Sequence, residues 1–220
     1  MKKIIVFFIC ILLSGCVAQE DLSKRLDDVF ASEQSAERIR RNSYSQYIDY
    51  YLPSGTGELE GDMLSSRFSY HSSNFVMDIN ISGIINDRYY KDQEMKDEGF
   101  FDPSKLVYER NSTFVDAEGI SHEYTYRVYS YERQYLTYFQ SKDLLFYGYA
   151  SLSDLVDMTS RILMIAKSAV VRHNEVISAY SSKTEVDYEK KQVNLFETIM
   201  PVNGNVNDFM IDGRESGDPQ

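Results

Sequence analysis

The sequence predicts an α+β fold, an antiparallel β-meander of about six to eight strands packed by a long C-terminal helix and preceded by an N-terminal helix. Between residues 63 and 149, short runs of alternating apolar and polar residues succeed one another with tight turns between them. This region is rich in tyrosine, which suits a pleated surface with a wet hydroxyl edge. Two longer stretches on either side have helical apolar periodicity.

Residues 17–42 predict the N-terminal helix, because apolar side chains recur there at three- and four-residue steps with charges between them. Its apolar positions include Leu22, Leu26 and Phe30. A charged and partly frayed tether is the open alternative for this stretch.

Residues 44–52 are aromatic-rich and predict an extended segment that stops at Pro53. Residues 54–62 contain three glycines and predict a loop. No Lys-Ser or Lys-Thr pair follows these glycines, so the loop does not match a phosphate-binding motif.

Residues 63–70 and 75–85 alternate in polarity and predict two strands joined by a turn at 71–74. Residues 86–104 then form a long acidic connection with several aromatic residues. A connection of this length is often functional or contains a short helix.

The clearest β-region follows. Residues 106–115 and 120–130 flank a hairpin turn that ends in Gly119, and residues 135–140 and 144–149 flank a second tight turn. Alternation along the second of these strands places Tyr124, Tyr126 and Val128 on one face and Thr125, Arg127 and Tyr129 on the other.

A long helix is predicted to begin at Ser151 or Ser153 and to run to about Ser182. Its apolar stripe is wide, so we expect it to lie across the sheet, with a coiled coil as the competing use. Residues 185–195 fit a hairpin slightly better than a helix. The tail from 201 to 220 is rich in Asn, Gly and Asp and is predicted to be largely disordered.

The composition excludes several classes of function. The formal net charge is −11, which argues against nucleic acid and against docking on anionic lipid head groups. The only two cysteines, Cys10 and Cys16, lie near the N-terminus. We expect no disulfide in the folded domain, whose stability must come from its core.

No catalytic motif stands out. The three histidines, His71, His122 and His173, are predicted to lie in a turn, at a strand start and on a helix face. No G-x-S-x-G elbow or H-E-x-x-H pair accompanies them, so neither a hydrolase triad nor a metal site is expected, and no cofactor. The many acidic pairs are typical of a solvated surface.

The first sixteen residues are the most specific feature. A positive pair, Lys2 and Lys3, precedes ten apolar residues, a run too short to span a bilayer. The run closes with Leu13-Ser14-Gly15-Cys16. This motif resembles the lipobox of bacterial lipoproteins, in which a leucine sits three positions before an invariant cysteine. The resemblance implies that residues 1–15 are a signal peptide and that Cys16 is the site of lipid attachment.

We therefore expect a lipid-anchored helical tether over residues 16–43 and a single α+β domain over 44–200. Because Val17 replaces the aspartate that retains some lipoproteins in the inner membrane, the resemblance implies the outer membrane of a two-membrane cell, or the outer face of a plasma membrane. The membrane would be bound through the lipid, since the chain without residues 1–15 has a net charge of −13.

The functional expectation is a non-catalytic accessory, assembly or binding role in the cell envelope, with a possible envelope protein partner. One alternative is a carrier of a small or apolar ligand between sheet and helix. Another is a cell-wall-acting hydrolase with unidentified carboxylates.

Overall fold

The computed structural model describes residues 21–36, 40–90, 101–116, 118–132 and 134–181. The chain divides into two compact units, residues 1–173 and 174–220. The described residues of the first unit form a seven-stranded antiparallel sheet and a three-stranded sheet, together with three α-helices and a short 3-10 helix (Pro103–Lys105), which confirms the α+β class with an N-terminal helix and an antiparallel meander. Among the described helices, none combines the length and the apolar character needed to cross a bilayer.

The large sheet has the strand order β3-β4-β5-β9-β8-β7-β6, and each neighbouring pair is antiparallel. Its strands are β3 (Gly57–Gly61), β4 (Ser65–Tyr70), β5 (Ser73–Ile79), β6 (Leu106–Val115), β7 (Ser121–Tyr131), β8 (Gln134–Ser141) and β9 (Leu144–Ala150). The small sheet has the order β1-β2-β10, from β1 (Ser43–Tyr44), β2 (Ile48–Tyr50) and β10 (Val170–Val171).

Helix α1 covers residues 21–35, which confirms a helix within the predicted range 17–42, but the predicted C-terminal end is wrong, because residues 40–42 are not helical. Phe30 is fully buried, and its ring stacks on Tyr108 and Tyr124 and meets the edge of Tyr126, with centroids 5.2–6.2 Å apart. Asp27 fixes the same helix to β6 by accepting hydrogen bonds from Tyr108 and Arg110. The N-terminal helix is therefore part of the core of the sheet.

Helix α3 (Leu152–Ser168) packs against β8 and β9. Ser151 caps it, as predicted, by accepting a hydrogen bond from the backbone N–H of Asp154. Leu155, Met158 and Ile162 are fully buried on its inner side. We call the sheet side that packs against α1 and α3 the helix face, and the other side the tyrosine face.

The sheet also has two ends. Helix α1 runs along β6, with Asp27 beside Tyr108 and Gln34 bonded to the backbone oxygen of Thr113. The proximal end, near the start of α1, includes the β4–β5 and β7–β8 turns and the start of α3. The distal end includes the β6–β7 and β8–β9 turns.

The long C-terminal helix is shorter than the sequence predicts, because α3 ends at Ser168 and not near residue 182. Val170 and Val171 instead form β10, which pairs with β2, and Arg172 binds the Asp49 carboxylate through two contacts of 2.7 Å. Strand pairing and this ion pair override the helical periodicity. A separate helix, α4 (His173–Ser181), follows.

Two boundaries in the first half also differ from the prediction. Part of the glycine-containing loop is an exposed edge strand, β3, that pairs with β4 around a bulge between Glu58 and Glu60. The strand predicted to reach residue 85 ends at Ile79, and α2 (Ile81–Tyr89) follows because Asn80 caps it by accepting from the backbone N–H of Gly83. The predictions for 1–20, 185–195 and 201–220 lie outside the described residues.

Candidate functional site

The tyrosine face has aromatic side chains in register across its central strands. One row runs Val76, Tyr147, Tyr138 and Arg127 across β5, β9, β8 and β7. The next row runs Asn74, Tyr149, Leu136 and Tyr129 across the same strands. Phe101 packs on this face, with ring centroids 5.0 Å from Tyr129 and 5.3 Å from Tyr138. The alternation that the sequence predicts for β7 is thus confirmed.

A buried carboxylate lies on this face beside Tyr147. The Tyr147 hydroxyl donates a 2.6 Å hydrogen bond to Oδ2 of Asp78. Asp78 is only 6% exposed, and among the described residues its Oδ1 has no hydrogen-bond partner. A buried carboxylate oxygen without a donor is costly, so this pair is an unusual feature of the sheet.

The electrostatics of the pair follow from its burial. Burial raises the pKa of the Asp78 carboxyl, and the neighbouring Ser65 and Tyr147 hydroxyls offset only part of that effect. Burial and the nearby Asp78 charge also raise the pKa of the Tyr147 phenol, so tyrosine is the proton donor in the bond. Within the described part of the chain, no group of three His, Cys, Asp or Glu side chains suited to a metal ion includes Asp78, and the chemistry of the pair is that of a polar contact.

The distal end holds a second cluster, which we call the His–Asp chain: Asp116, His122, Asp143 and His173. The Nε2 atom of His122 lies 2.8 Å from Asp116 Oδ2, and its Nδ1 atom lies 3.9 Å from Asp143 Oδ2. The Nε2 atom of His173 lies 2.9 Å from the other Asp143 oxygen. Acids and imidazoles therefore alternate along a line.

Asp116 anchors this chain to the β6–β7 turn. Its Oδ1 accepts 2.8 Å hydrogen bonds from the backbone N–H groups of Glu118 and Ile120. Burial opposes ionisation of Asp116, but the bond from His122 and those two backbone bonds outweigh burial and lower the pKa of the carboxyl. Asp116 is thus held as a carboxylate beside the His122 ring.

The proximal end brings together a serine, a histidine and an acid, but not as a hydrolase triad. The hydroxyls of Ser72 and Ser73 both donate to Oδ2 of Asp154, at 2.8 and 3.1 Å. His71 is largely exposed, and its Nδ1 lies 3.9 Å from Oδ1 of the same carboxylate. A triad needs the serine proton directed at the imidazole, whereas here it is directed at the acid. Hydrogen bonds from Ser72 and then Ser73 lower the pKa of Asp154.

The local settings predicted for the histidines are confirmed: His71 lies in a turn, His122 in β7 and His173 at the start of a helix. The sequence prediction missed that His122 and His173 meet at Asp143. The signal was the aspartate of the β8–β9 turn, but the contact joins residues 30 positions apart. Within the described ranges, no three His, Cys, Asp or Glu side chains are grouped so as to hold a metal ion.

Cys16, the predicted lipid-attachment residue, lies outside the described residues. No protein-family model matches this chain, and neither does any curated protein or any solved structure. What the tyrosine face and the His–Asp chain do must therefore be inferred from their own chemistry.

Proposed function

We propose that this chain is a membrane-anchored extracytoplasmic lipoprotein with a non-catalytic binding role in the cell envelope, and that it binds a protein partner through the tyrosine face. The observation that supports the binding role most strongly is the pair of registered rows on that face, which places Tyr138, Tyr147 and Tyr149 side by side across β8 and β9. Tyrosine is enriched where protein interfaces gain most of their binding energy.

The position of α1 supports a domain held close to its membrane. Cys16 precedes residue 21 by five residues, which reach at most about 17 Å in any conformation. Helix α1 is fixed to the sheet from Leu22 onwards, so no spacer separates the predicted anchor from the core. A lipid on Cys16 would therefore turn the proximal end towards the bilayer and the distal end away from it. On the tyrosine face Tyr147 is buried, and the half-buried side chains of Tyr138, Leu145 and Tyr149 are the ones that a partner would reach.

The carrier alternative places a ligand between the sheet and the helices, where the protein's own side chains pack. On the helix face, the Phe139 ring lies 5.3 Å from that of Tyr124 and 5.5 Å from that of Phe146. Met158 and Ile162 of α3 are fully buried. A cargo in this layer would have to displace packed aromatic rings, which is why we favour binding at the opposite face.

The anchor is tested by replacing Cys16 with alanine in the full chain and following the protein by membrane fractionation and metabolic labelling with a radioactive fatty acid. We expect the wild-type chain in the membrane fraction with label, and the C16A chain unlabelled and outside that fraction. A Cys10→Ala chain is the matched control and should behave as wild type. A C16A chain that stays membrane-bound and labelled refutes the lipoprotein assignment.

The binding role is tested by photo-crosslinking in cells, with a photoreactive amino acid placed in turn at Leu145 and Tyr149 on the tyrosine face. Exposed positions away from that face, Met63 and Leu152, serve as controls. We expect a discrete higher-mass adduct from the first two positions and none from the controls. Adducts of equal yield from all four positions, or none from the tyrosine face, contradict the proposed surface.

A further inference from the structure

We infer that the His–Asp chain is a proton-operated link at the distal end, in which one proton on Nδ1 of His122 joins the β6–β7 turn to the β8–β9 turn. The chain has three contacts between its four groups: Asp116 with His122, His122 with Asp143, and Asp143 with His173. The first and the third are hydrogen bonds and need one imidazole N–H each, because a carboxylate only accepts; the second becomes attractive only when Nδ1 of His122 is protonated.

Counting donors shows which contact depends on protonation. A neutral imidazole has one N–H, so two neutral rings supply two donors for three contacts. His173 uses its Nε2–H on Asp143 at 2.9 Å, and His122 uses its Nε2–H on Asp116 at 2.8 Å. The remaining pair, His122 Nδ1 and Asp143 Oδ2, is the longest at 3.9 Å. There a ring lone pair faces a carboxylate oxygen, and a proton on Nδ1 replaces their repulsion with an ion pair.

The surroundings hold the His122 ring in place between its two acids. The side chains of His122 and Asp143 are only 13% and 14% exposed, so solvent screens their interaction weakly. Phe114 stacks on the His122 ring with centroids 5.2 Å apart and fixes its orientation. Asp116 on the other side of the ring is held as a carboxylate by two backbone N–H groups.

The other charged groups of the neighbouring segments are engaged with each other. Lys142, next to Asp143, lies 3.5 Å from Asp87 of α2. Glu118 of the β6–β7 turn lies 3.5 Å from Arg41. Lys142 and Arg41 are thus each paired with another acid, and in the described residues the imidazoles of His122 and His173 are paired with Asp116 and Asp143.

Asp116 and Asp143 each hold a different loop of the distal end in place. Asp116 organises the β6–β7 turn through Glu118 and Ile120. The Asp143 carbonyl accepts a hydrogen bond from the backbone N–H of Asn80, which caps α2. Protonated His122 therefore ties the β6–β7 turn to the start of α2 through Asp143. Histidine is the usual pH-responsive side chain of proteins, which is why we assign the link to the His122 ring.

The test is a histidine NMR titration of the full chain in detergent micelles, with ¹³C,¹⁵N-labelled histidine. The sequence has three histidines, so each gives an assignable signal, and His71 at the proximal end is an internal control. We expect the His122 transition to lie at a higher pH in the wild type than in Asp143→Asn, because the substitution removes the carboxylate charge that faces Nδ1 of the ring. The His71 transition should be the same in both chains. An unchanged His122 transition overturns the inference.

Two further measurements keep the test decisive if Asp143→Asn does not fold. Asp143→Glu retains the charge, so its His122 transition should lie close to that of wild type, whereas a purely steric role for Asp143 predicts that both variants differ from wild type. In the wild type alone, both ring N–H groups of His122 should give slowly exchanging ¹⁵N-coupled signals at pH 5.5, and only the Nε2–H should remain at pH 8. A His122 ring with one N–H at pH 5.5 refutes the link.

Discussion

Replacing Asp78 by asparagine should stabilise the protein at neutral pH. The substitution keeps the shape of the side chain and an oxygen that accepts from Tyr147, and it removes a charge from a site that is only 6% exposed. In the variant, an NH₂ group takes the place of the unpaired Oδ1 atom. The Ser65 hydroxyl lies close to this position, since it already lowers the pKa of the carboxyl. A buried charged acceptor is thus exchanged for a neutral donor that has a partner within reach.

The size of the effect comes from the unpaired oxygen. Leaving a buried acceptor unsatisfied costs roughly 1–3 kcal/mol, and the new NH₂ recovers part of that, so we expect a gain of about 1 kcal/mol. For a chain of this length, that gain raises the unfolding temperature by about 2–4 °C. Because Asp78 has a raised pKa when folded, the stability it contributes is present below its unfolded pKa of about 3.9 and is lost as the pH rises through the folded value. The advantage of the variant should therefore vanish near pH 4.

The assay is thermal unfolding of wild-type and Asp78→Asn chains, followed by circular dichroism at pH 4 and pH 8 in the same detergent. Asp28→Asn is a matched control, because Asp28 is exposed on α1 and is not among the groups that shift the pKa of Asp78. We expect Asp78→Asn to be more stable at pH 8 only, and the control to show no such gain. An Asp78→Asn chain that is less stable at pH 8 would mean that the ionised carboxylate is satisfied in the fold, and the argument from the unpaired oxygen would be wrong.

Three other substitutions probe the core and its ties. Phe30→Ala should cost about 3–5 kcal/mol, measured by urea unfolding, because it empties a fully buried aromatic cluster; a loss below 1 kcal/mol would show that α1 is not part of the core. Tyr126→Phe should cost about 1 kcal/mol, since Thr159 donates to the Leu155 carbonyl and so must accept from Tyr126; thermal unfolding with no change would contradict that bond. Arg172→Ala should cost about 1 kcal/mol in low salt and less in 1 M salt by urea unfolding, and equal losses in both would exclude an electrostatic tie to Asp49.

Local sequence patterns were sufficient to predict the meander. Period-two alternation in β6 to β9 specifies both the strands and their faces, because each residue's side is fixed by the pleat once the turns are placed. The turn at Gly119 was recognisable because glycine adopts a positive φ of 88° there. These elements depend on contacts between residues close in the chain, which is why their sequence signals agree with the structure.

The errors occurred where distant contacts decide the conformation. Val170 and Val171 continue a helical apolar stripe, yet they pair with β2, some 120 residues earlier in the chain. Ser168 ends α3 in part because its hydroxyl accepts the backbone N–H of Tyr51. Helical periodicity contains no information about such a partner. The strand β3 was missed for the same reason, since glycines and acidic residues form an edge strand only when β4 is beside them.

The candidate sites were less predictable than the fold. An abundance of acidic residues suggested only a solvated surface, and it concealed buried acids with different surroundings. Asp116 accepts two backbone N–H groups and an imidazole, and Asp143 lies between two imidazoles. Among the described residues Asp78 accepts a hydrogen bond from Tyr147, with the Ser65 hydroxyl close to the carboxyl as well. Only the folded arrangement separates a carboxylate with three donors from one with fewer, because each set of donors comes from a different strand or turn.

This difference between the buried acids bears on function. The three hydrogen bonds that Asp116 accepts stabilise its ionised form, and they lower the pKa of the carboxyl for that reason. Asp78 has the opposite signature, a raised pKa, on the face that displays the tyrosine rows. Stabilising substitutions are easy to find in natural proteins. A residue that lowers stability at neutral pH is therefore a candidate for a functional role, such as binding a partner. A stabilised Asp78→Asn chain that also loses the crosslinked adduct at Leu145 would identify Asp78 as a polar contact of the partner, whereas an unchanged adduct would confine its effect to the fold.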